Sequence, residues 1–244
     1  MRRPLRLAHA SDIHLDTDFY NGGDNVEQRD YYRGVFQTLL DRIVAEKPHL
    51  FLLPGDLFDS NRASDDTITW SMQALGKLPF PVIMIPGNHD CVEPNAIFHR
   101  HDFNQVENVR MLASPDGEAT ELPELQVIAW GKGMVEHSPE YSPLGDLKPA
   151  QPGVWNIALG HGIYVGKEGG YSHRSSPVEA RQIEASGYDY IALGHHHALL
   201  NVSAKSTTAY YCGAPVPVSK GSQGTFLIVD LEDGKPANVT VHRL

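Results

Sequence analysis

Cysteine is nearly absent from this 244-residue chain, with only Cys91 and Cys212 present. Two thiols cannot make a disulfide framework, and they lack the paired spacing of a zinc ribbon, so reduced, partly buried thiols are expected. Long apolar runs are missing too; none approaches the length needed to span a bilayer. The basic start Met1-Arg2-Arg3-Pro4 leads into an apolar stretch that is interrupted at Arg6 and ends at Ser11-Asp12. That is too short for a signal-peptide core, so a cytoplasmic protein with no membrane partner is expected. Positive charge is also scarce: 20 Lys and Arg stand against 30 Asp and Glu, for a formal charge of −10. Proteins held to nucleic acid through phosphates usually show a basic face, and here no Lys/Arg cluster exceeds two residues. The balance argues against tight nonspecific DNA binding, although bound divalent metals would cancel several negative charges where they sit.

What is present is an ordinary globular composition, 41% apolar with 22 Gly and 17 Pro, enough for a sizeable core and many defined turns. Leu5–Ala10 reads as a strand, followed by a polar, Gly-containing loop through Asp24. Over Tyr31–Glu46, the apolar residues Val35, Phe36, Leu39, Leu40, Ile43 and Val44 share one helical face, and Lys47-Pro48 stops the helix. Leu50–Leu53 reads as a buried strand, Asp65–Leu78 as a helix capped by Ser64, and Pro81–Ile85 as a third strand. This βαβαβ opening predicts a sheet with a parallel core covered by helices. Further strands are expected at Val109–Leu112, Leu125–Trp130, Val154–Leu159 and Tyr188–Leu193, with a short helix over Val178–Ser186. Gly131–Pro152, with four prolines, reads as a loop-rich connection. The end turns all-β, at Ala209–Tyr211, Thr225–Asp230 and Val239–His242, with Asp233-Gly234 as a hairpin signal. There is no repeat and no linker long enough to divide domains, so residues 1–244 are expected to form one domain.

Five short blocks each follow a predicted strand: Asp12-Ile13-His14, Gly55-Asp56-Leu57-Phe58-Asp59, Gly87-Asn88-His89-Asp90, Gly160-His161-Gly162 and Gly194-His195-His196-His197. Ligands of open α/β sheets sit at the carboxyl ends of strands, so the blocks are expected to meet at one sheet edge. Taken singly, the first four are commonplace, a helix cap, a turn start, an Asx-type turn and a satisfied loop histidine, whereas the triple His195-His196-His197 is unusual, since adjacent histidines in a strand-end loop have no packing rationale. Together they hold six of the 13 histidines with Asp12, Asp56 and Asn88, which points to a metal site. The donors are nitrogen and oxygen without thiolate, which suits Mn²⁺, Fe or Zn²⁺ more than Ca²⁺ or a Cys-bound zinc.

These blocks resemble the signature of the calcineurin-like metallophosphoesterases, and the resemblance runs from residue 5 to about 230. Ser11-Asp12-Ile13-His14-Leu15, Gly55-Asp56-Leu57-Phe58-Asp59, Tyr188–His197 and Tyr211-Cys212-Gly213-Ala214-Pro215 are most similar to the SbcD-type DNA repair exonucleases. The resemblance implies an α/β fold, a metallophosphoesterase-type double β-sandwich flanked by helices. It further implies two divalent metal ions, Mn²⁺ foremost with Fe, Zn²⁺ or Mg²⁺ as alternatives. Asp12, His14 and His197 would hold one, Asn88, His161 and His195 the other, and Asp56 would bridge them. His89 would be the catalytic general acid or phosphate-stabilising group, and His196, at the variable position, would face solvent or support the site. Two cations about 3.5–4 Å apart activate a water and clamp phosphate oxygens for in-line attack, so no Ser or Cys nucleophile is required.

The chain also departs from that branch. Only 29 residues follow Pro215, enough to finish a sheet and little more, so no separate DNA-contacting cap or ATPase-docking segment is evident, and catalysis on a phosphodiester is a firmer expectation than partnership with a repair ATPase. Gly213-Ala214-Pro215 replaces the usual Gly-Ser-Pro. Three readings follow: a nuclease acting on DNA, the same chemistry on a small phosphoester or nucleotide, and a non-catalytic scaffold, which would be expected to lose some of the ligands. Three features stay open between site and packing: Lys167, Tyr171, His173 and Arg174 in the Gly166–Ser176 loop; Tyr31-Tyr32-Arg33; and Asp59, which could orient a ligand or cap a turn.

Overall fold

The computed structural model describes residues 1–17, 26–166, 176–216 and 223–244. Its elements, in order, are β1 (Leu5–His9), α1 (Val26–Ala45), β2 (Leu50–Pro54), α2 (Asp65–Gly76), β3 (Val82–Ile85), α3 (Ile97–Arg100), β4 (Val109–Met111), β5 (Glu118–Leu122) and β6 (Val127–Gly131). After a long connection come β7 (Trp155–His161), β8 (Ile163–Val165), β9 (Pro177–Glu179), α4 (Ala180–Ser186), β10 (Tyr190–Gly194), β11 (Leu199–Asn201), β12 (Thr208–Cys212), β13 (Thr225–Leu231) and β14 (Asn238–Arg243). No helix among the described residues is long and apolar enough to cross a membrane.

Two six-stranded sheets dominate. The first runs β14-β13-β1-β2-β3-β4, with β1 to β4 parallel and β13 and β14 antiparallel at one edge. The second runs β11-β12-β10-β7-β6-β5, with four parallel central strands and an antiparallel strand at each edge. The single parallel sheet expected from the opening is therefore one of two, and the fold is the double sandwich with helices outside.

Alternation along the strands explains why the sheets stack. Leu5 and Leu7 of β1 and Leu50 and Leu52 of β2 meet Ile157, Leu159, Tyr190 and Ala192 in a layer between the sheets. Ala8, Phe51 and Leu53 point the other way and pack with Phe36, Leu39, Leu40 and Ile43 of α1 and Ile68 and Leu75 of α2. On the outer face of the second sheet, Ile191 and Leu193 pack with Ile183 of α4. Successive side chains of a strand face opposite ways, so a strand with a layer on both faces is apolar at every position. β2, Leu-Phe-Leu-Leu-Pro, is buried throughout.

Several details differ from the sequence expectations. α1 begins at Val26 rather than Tyr31, because its first turn carries Glu27, Gln28 and Asp30 and has no apolar stripe to signal it. β5 and β11 are edge strands whose sequences are too polar or too short to stand out. Ser64 does cap α2, its side chain accepting from the Thr67 amide. Arg33 pairs with Asp66 and Thr67 and lies over Trp70, so it ties α1 to α2 as packing.

Candidate metal centre

The five blocks come together, but at the strand ends of two sheets rather than at one edge. Asp12 and His14 follow β1, Asp56 follows β2, and Asn88 and His89 follow β3, all in the first sheet. His161 ends β7, and His195 and His197 follow β10, in the second. The loops after β1 and β2 run side by side. The amides of Ile13 and His14 both donate to the Asp56 carbonyl, at 2.9 and 3.1 Å, and the Asp59 amide donates back to Leu15 at 3.0 Å.

This close assembly requires unusual backbone. Asp12 (φ 57°), His14 (φ 53°), Asp56 (φ 53°) and His195 (φ 95°) all have positive φ. Such conformations cost of order 1 kcal/mol or more each and cluster at sites where the surroundings over-determine them. Glycine supplies the remaining room: a Cβ on Gly87 would lie 2.2 Å from the Asp56 Oδ1, and one on Gly194 would lie 2.0 Å from the Pro54 carbonyl oxygen.

Side-chain donors converge in two sets that meet near Asp56. On one side, His14 Nε2 and His197 Nε2 lie 3.2 Å apart, and His197 Nε2 is 3.6 Å from Asp12 Oδ1. On the other, the Asn88 side-chain oxygen is 2.9 Å from His161 Nε2 and 2.8 Å from His195 Nδ1. Asp56 Oδ2 lies 3.2 Å from His161 Nε2 and 3.9 Å from His14 Nε2, and so reaches toward both. Three groupings have ligand atoms mutually within 4.8 Å: Asp12/His14/His197, Asp12/Asp56/His161 and His14/Asp56/His89. His195 joins through Asn88.

The donor set fits divalent cations. Ligands about 2.0–2.1 Å from a metal, at angles between octahedral and tetrahedral, stand about 2.8–3.4 Å from one another. The 2.8 to 3.2 Å contacts above are close to that edge length. Two buried polar atoms, His14 Nδ1 and Asp59 Oδ1, approach to 3.1 Å yet are too poorly aligned for a hydrogen bond. Asp59 thus faces the far nitrogen of His14 and leaves Nε2 turned toward His197 and Asp56.

Electrostatics point the same way. Burial opposes ionisation of Asp56, but His161, then His14 and His89, hold its carboxyl well below the usual range. Burial likewise opposes charge on His161, yet Asp56 and then Asp12 raise it to about 9. His14 is raised against its burial by Asp59 and Asp56. Burial, and next the charge of His161, depresses His195 to about 3; burial also lowers His197. Burial and the neighbouring Asp56 push Asp90 up to about 6. A proton on His161 is standing in for a cation against this carboxylate cluster, and a metal would displace it.

Residues outside the sequence-derived ligand set shape the site. The Asp90 carboxylate accepts from the Gly87 and Phe58 amides, at 2.7 and 3.2 Å, binding the block after β3 to the loop after β2. Its place in Gly87-Asn88-His89-Asp90 is a signal that could have marked it. Asp59 faces His14, and its carbonyl accepts from His89 Nδ1 at 2.7 Å, so it orients the site rather than capping the following turn. The Pro54 carbonyl holds His161 Nδ1 at 2.9 Å. Ser11 hydrogen-bonds Asp12 and lies 3.2 Å from the Cys212 sulfur. His196 packs edge-on against Tyr211, away from the ligands. His137, unmarked by any motif, sets its ring against His195. Lys167, Tyr171, His173 and Arg174 lie outside the described residues.

The family model described as calcineurin-like phosphoesterase matches residues 5–199. Among solved structures, the chain is similar to a conserved uncharacterized protein of Streptococcus pneumoniae TIGR4 described as a predicted phosphoesterase. That match has 12% identity and a TM-score of 0.44, covering 99% of this chain and 100% of that one.

Proposed function

The chain belongs to the calcineurin-like phosphoesterase family, and from that premise we propose that it is a two-metal phosphodiesterase of the SbcD-like branch, hydrolysing DNA. The observation that carries the hydrolytic reading is the pair of donor sets converging on Asp56, with His89 beside them. In this reading Asp12, His14 and His197 would hold one divalent ion, Asn88, His161 and His195 would hold the other, and Asp56 would be shared between them. We take the ions to be Mn²⁺, for which nitrogen and oxygen donors are suited. Two such ions supply the positive charge that activates water and clamps the phosphate for in-line displacement.

The chain's own residues do the rest. Asp56, kept ionised, turns Oδ2 toward both donor sets, while its Oδ1 accepts from the His89 amide at 2.9 Å. Asn88 gives a neutral oxygen and limits the negative charge that an anionic substrate meets. His89 donates from Nδ1 to the Asp59 carbonyl, which can only accept, so Nε2 is the nitrogen left for the substrate, and the doubly protonated ring is the form that would pass a proton from it to the departing alkoxide. Its ring is exposed, as a group meeting substrate must be. We also read residues 1–244 as one domain, since the apolar layer between the sheets is built from both.

The DNA assignment rests on the motif resemblance. The formal charge of −10 favours the second reading, a small phosphoester or nucleotide. Purified, Mn²⁺-loaded protein tests both: bis-p-nitrophenyl phosphate should be hydrolysed, and single-stranded DNA should be degraded. Hydrolysis confined to small esters would leave the second reading standing. A metal-loaded protein that leaves every phosphoester intact would reduce the site to a binding scaffold.

A further inference from the structure

His137 stands 5.1 Å from the ring of His195, edge to face, although 58 positions separate them. It is exposed, whereas His195 is half-buried with its Nδ1 turned to Asn88. The segment that carries it is fixed on both sides. Met134, fully buried, accepts through its carbonyl from the Val92 amide at 2.7 Å, just beyond Asp90. The Ser138 carbonyl accepts from the Ser176 amide at 2.8 Å, and Gly133 passes so close to Ala113 that a Cβ there would meet its carbonyl oxygen at 2.0 Å. A rim histidine held this firmly by its backbone is pre-organised for a ligand.

Its position gives it a partner in His89. The His89 ring lies 4.7 Å from His14, beside one donor set, and His137 lies against His195 in the other. Two imidazoles outside the assigned ligand sets thus flank the centre, one by each set. A phosphomonoester has one ester substituent, and His89 serves it. A phosphodiester has a second, which must leave the centre elsewhere. We infer that His137 is a substrate-binding residue, donating a ring N–H to the non-leaving ester side of a phosphodiester, and so favours diesters over monoesters. This rests on the phosphoesterase reading above and extends it to substrate class.

The test compares Mn²⁺-loaded wild type, His137→Ala and His137→Gln on bis-p-nitrophenyl phosphate and p-nitrophenyl phosphate. Bound metal per chain is measured, and a phosphorothioate-linked dinucleotide is titrated by calorimetry. Loss of one hydrogen bond to the ester oxygen predicts that His137→Ala lowers the diester-to-monoester ratio of kcat/KM about three- to tenfold, mainly through the diester KM. The dinucleotide should bind about three- to tenfold more weakly, with metal content at the wild-type level, and His137→Gln, which keeps an N–H donor, should recover part of the loss. Equal losses on both esters, an unchanged ratio, or loss of metal would overturn the inference, the last making His137 a prop for His195. So would a wild type confined to monoesters. Wild type inert toward both esters would remove the phosphoesterase reading and this inference with it; an active wild type with an indifferent His137→Ala removes only the inference.

Discussion

His161 and His14 both face Asp56, yet the two sides of the centre are built differently. His161 is fully buried, 3.2 Å from the carboxylate, with its far nitrogen fixed by the Pro54 carbonyl. His14 is 3.9 Å away, its far nitrogen faces Asp59 without alignment, and its neighbour His197 keeps a third of its side chain exposed. The deep side is fixed by backbone inside the sandwich. The shallow side is assembled from loops and left short of partners. The unaligned pair lies on the far nitrogen of His14, so the ring that turns Nε2 toward the centre is oriented less firmly than that of His161.

Breaking the element common to both sides should have the largest effect. Asp56→Asn is expected to lower hydrolysis of bis-p-nitrophenyl phosphate by more than about 10³-fold, with metal lost from both sides. Steady-state kinetics with metal analysis checks this; activity within tenfold of wild type would contradict the bridging role. His89→Gln comes next, with kcat reduced about 10²- to 10⁴-fold and both ions retained. Metal loss there would instead make His89 a ligand, which its closeness to His14 and Asp56 permits.

The pH dependence sharpens the description of the deep side. His161 is raised to about 9, so its contribution to metal-free stability is complete below about 6.5 and disappears as pH rises from there through about 9. At about 1.4 kcal/mol per pH unit, the loss is about 3 kcal/mol. Asp56 is depressed, so its contribution is lost only in acid, as pH falls through its lowered value, well outside that window. Denaturant melts of chelator-treated protein between pH 6 and 10 would show the decline, and metal-loaded protein, whose His161 holds no proton on the ligating nitrogen, would not. A flat metal-free profile would mean that His161 is neutral. The smallest effect is expected on the shallow side alone. Asp59→Asn should weaken one ion about 10- to 100-fold and leave the other in place, giving a two-step metal titration. Equal weakening of both ions would erase the distinction between the sides.

The candidate donors stood out because each sits within a few residues of a strand end, and four of them, Asp56, Asn88, His161 and His195, directly follow a glycine. Local spacing and residue type carry that signal. The supporting contacts were not readable in the same way. Asp59 could equally cap a turn until His14 was seen 3.1 Å from it. His137 sits in a proline-rich connection with no motif, and only folding brings it to His195. Edge strands such as Glu118–Leu122 escaped because one side of an edge strand is solvent and its pattern stays polar.

By itself, the sequence determined the strands with apolar residues at every position and the cap of α2, and it marked seven candidate donors with His89, since all follow from neighbours along the chain. Tertiary structure alone decided that two sheets, not one, present those donors. It also decided which histidine is buried against Asp56 and which is left at the rim. Burial and partner distance belong to segments more than a hundred residues apart, His161 and Pro54 among them, and no local pattern encodes which strand ends will meet.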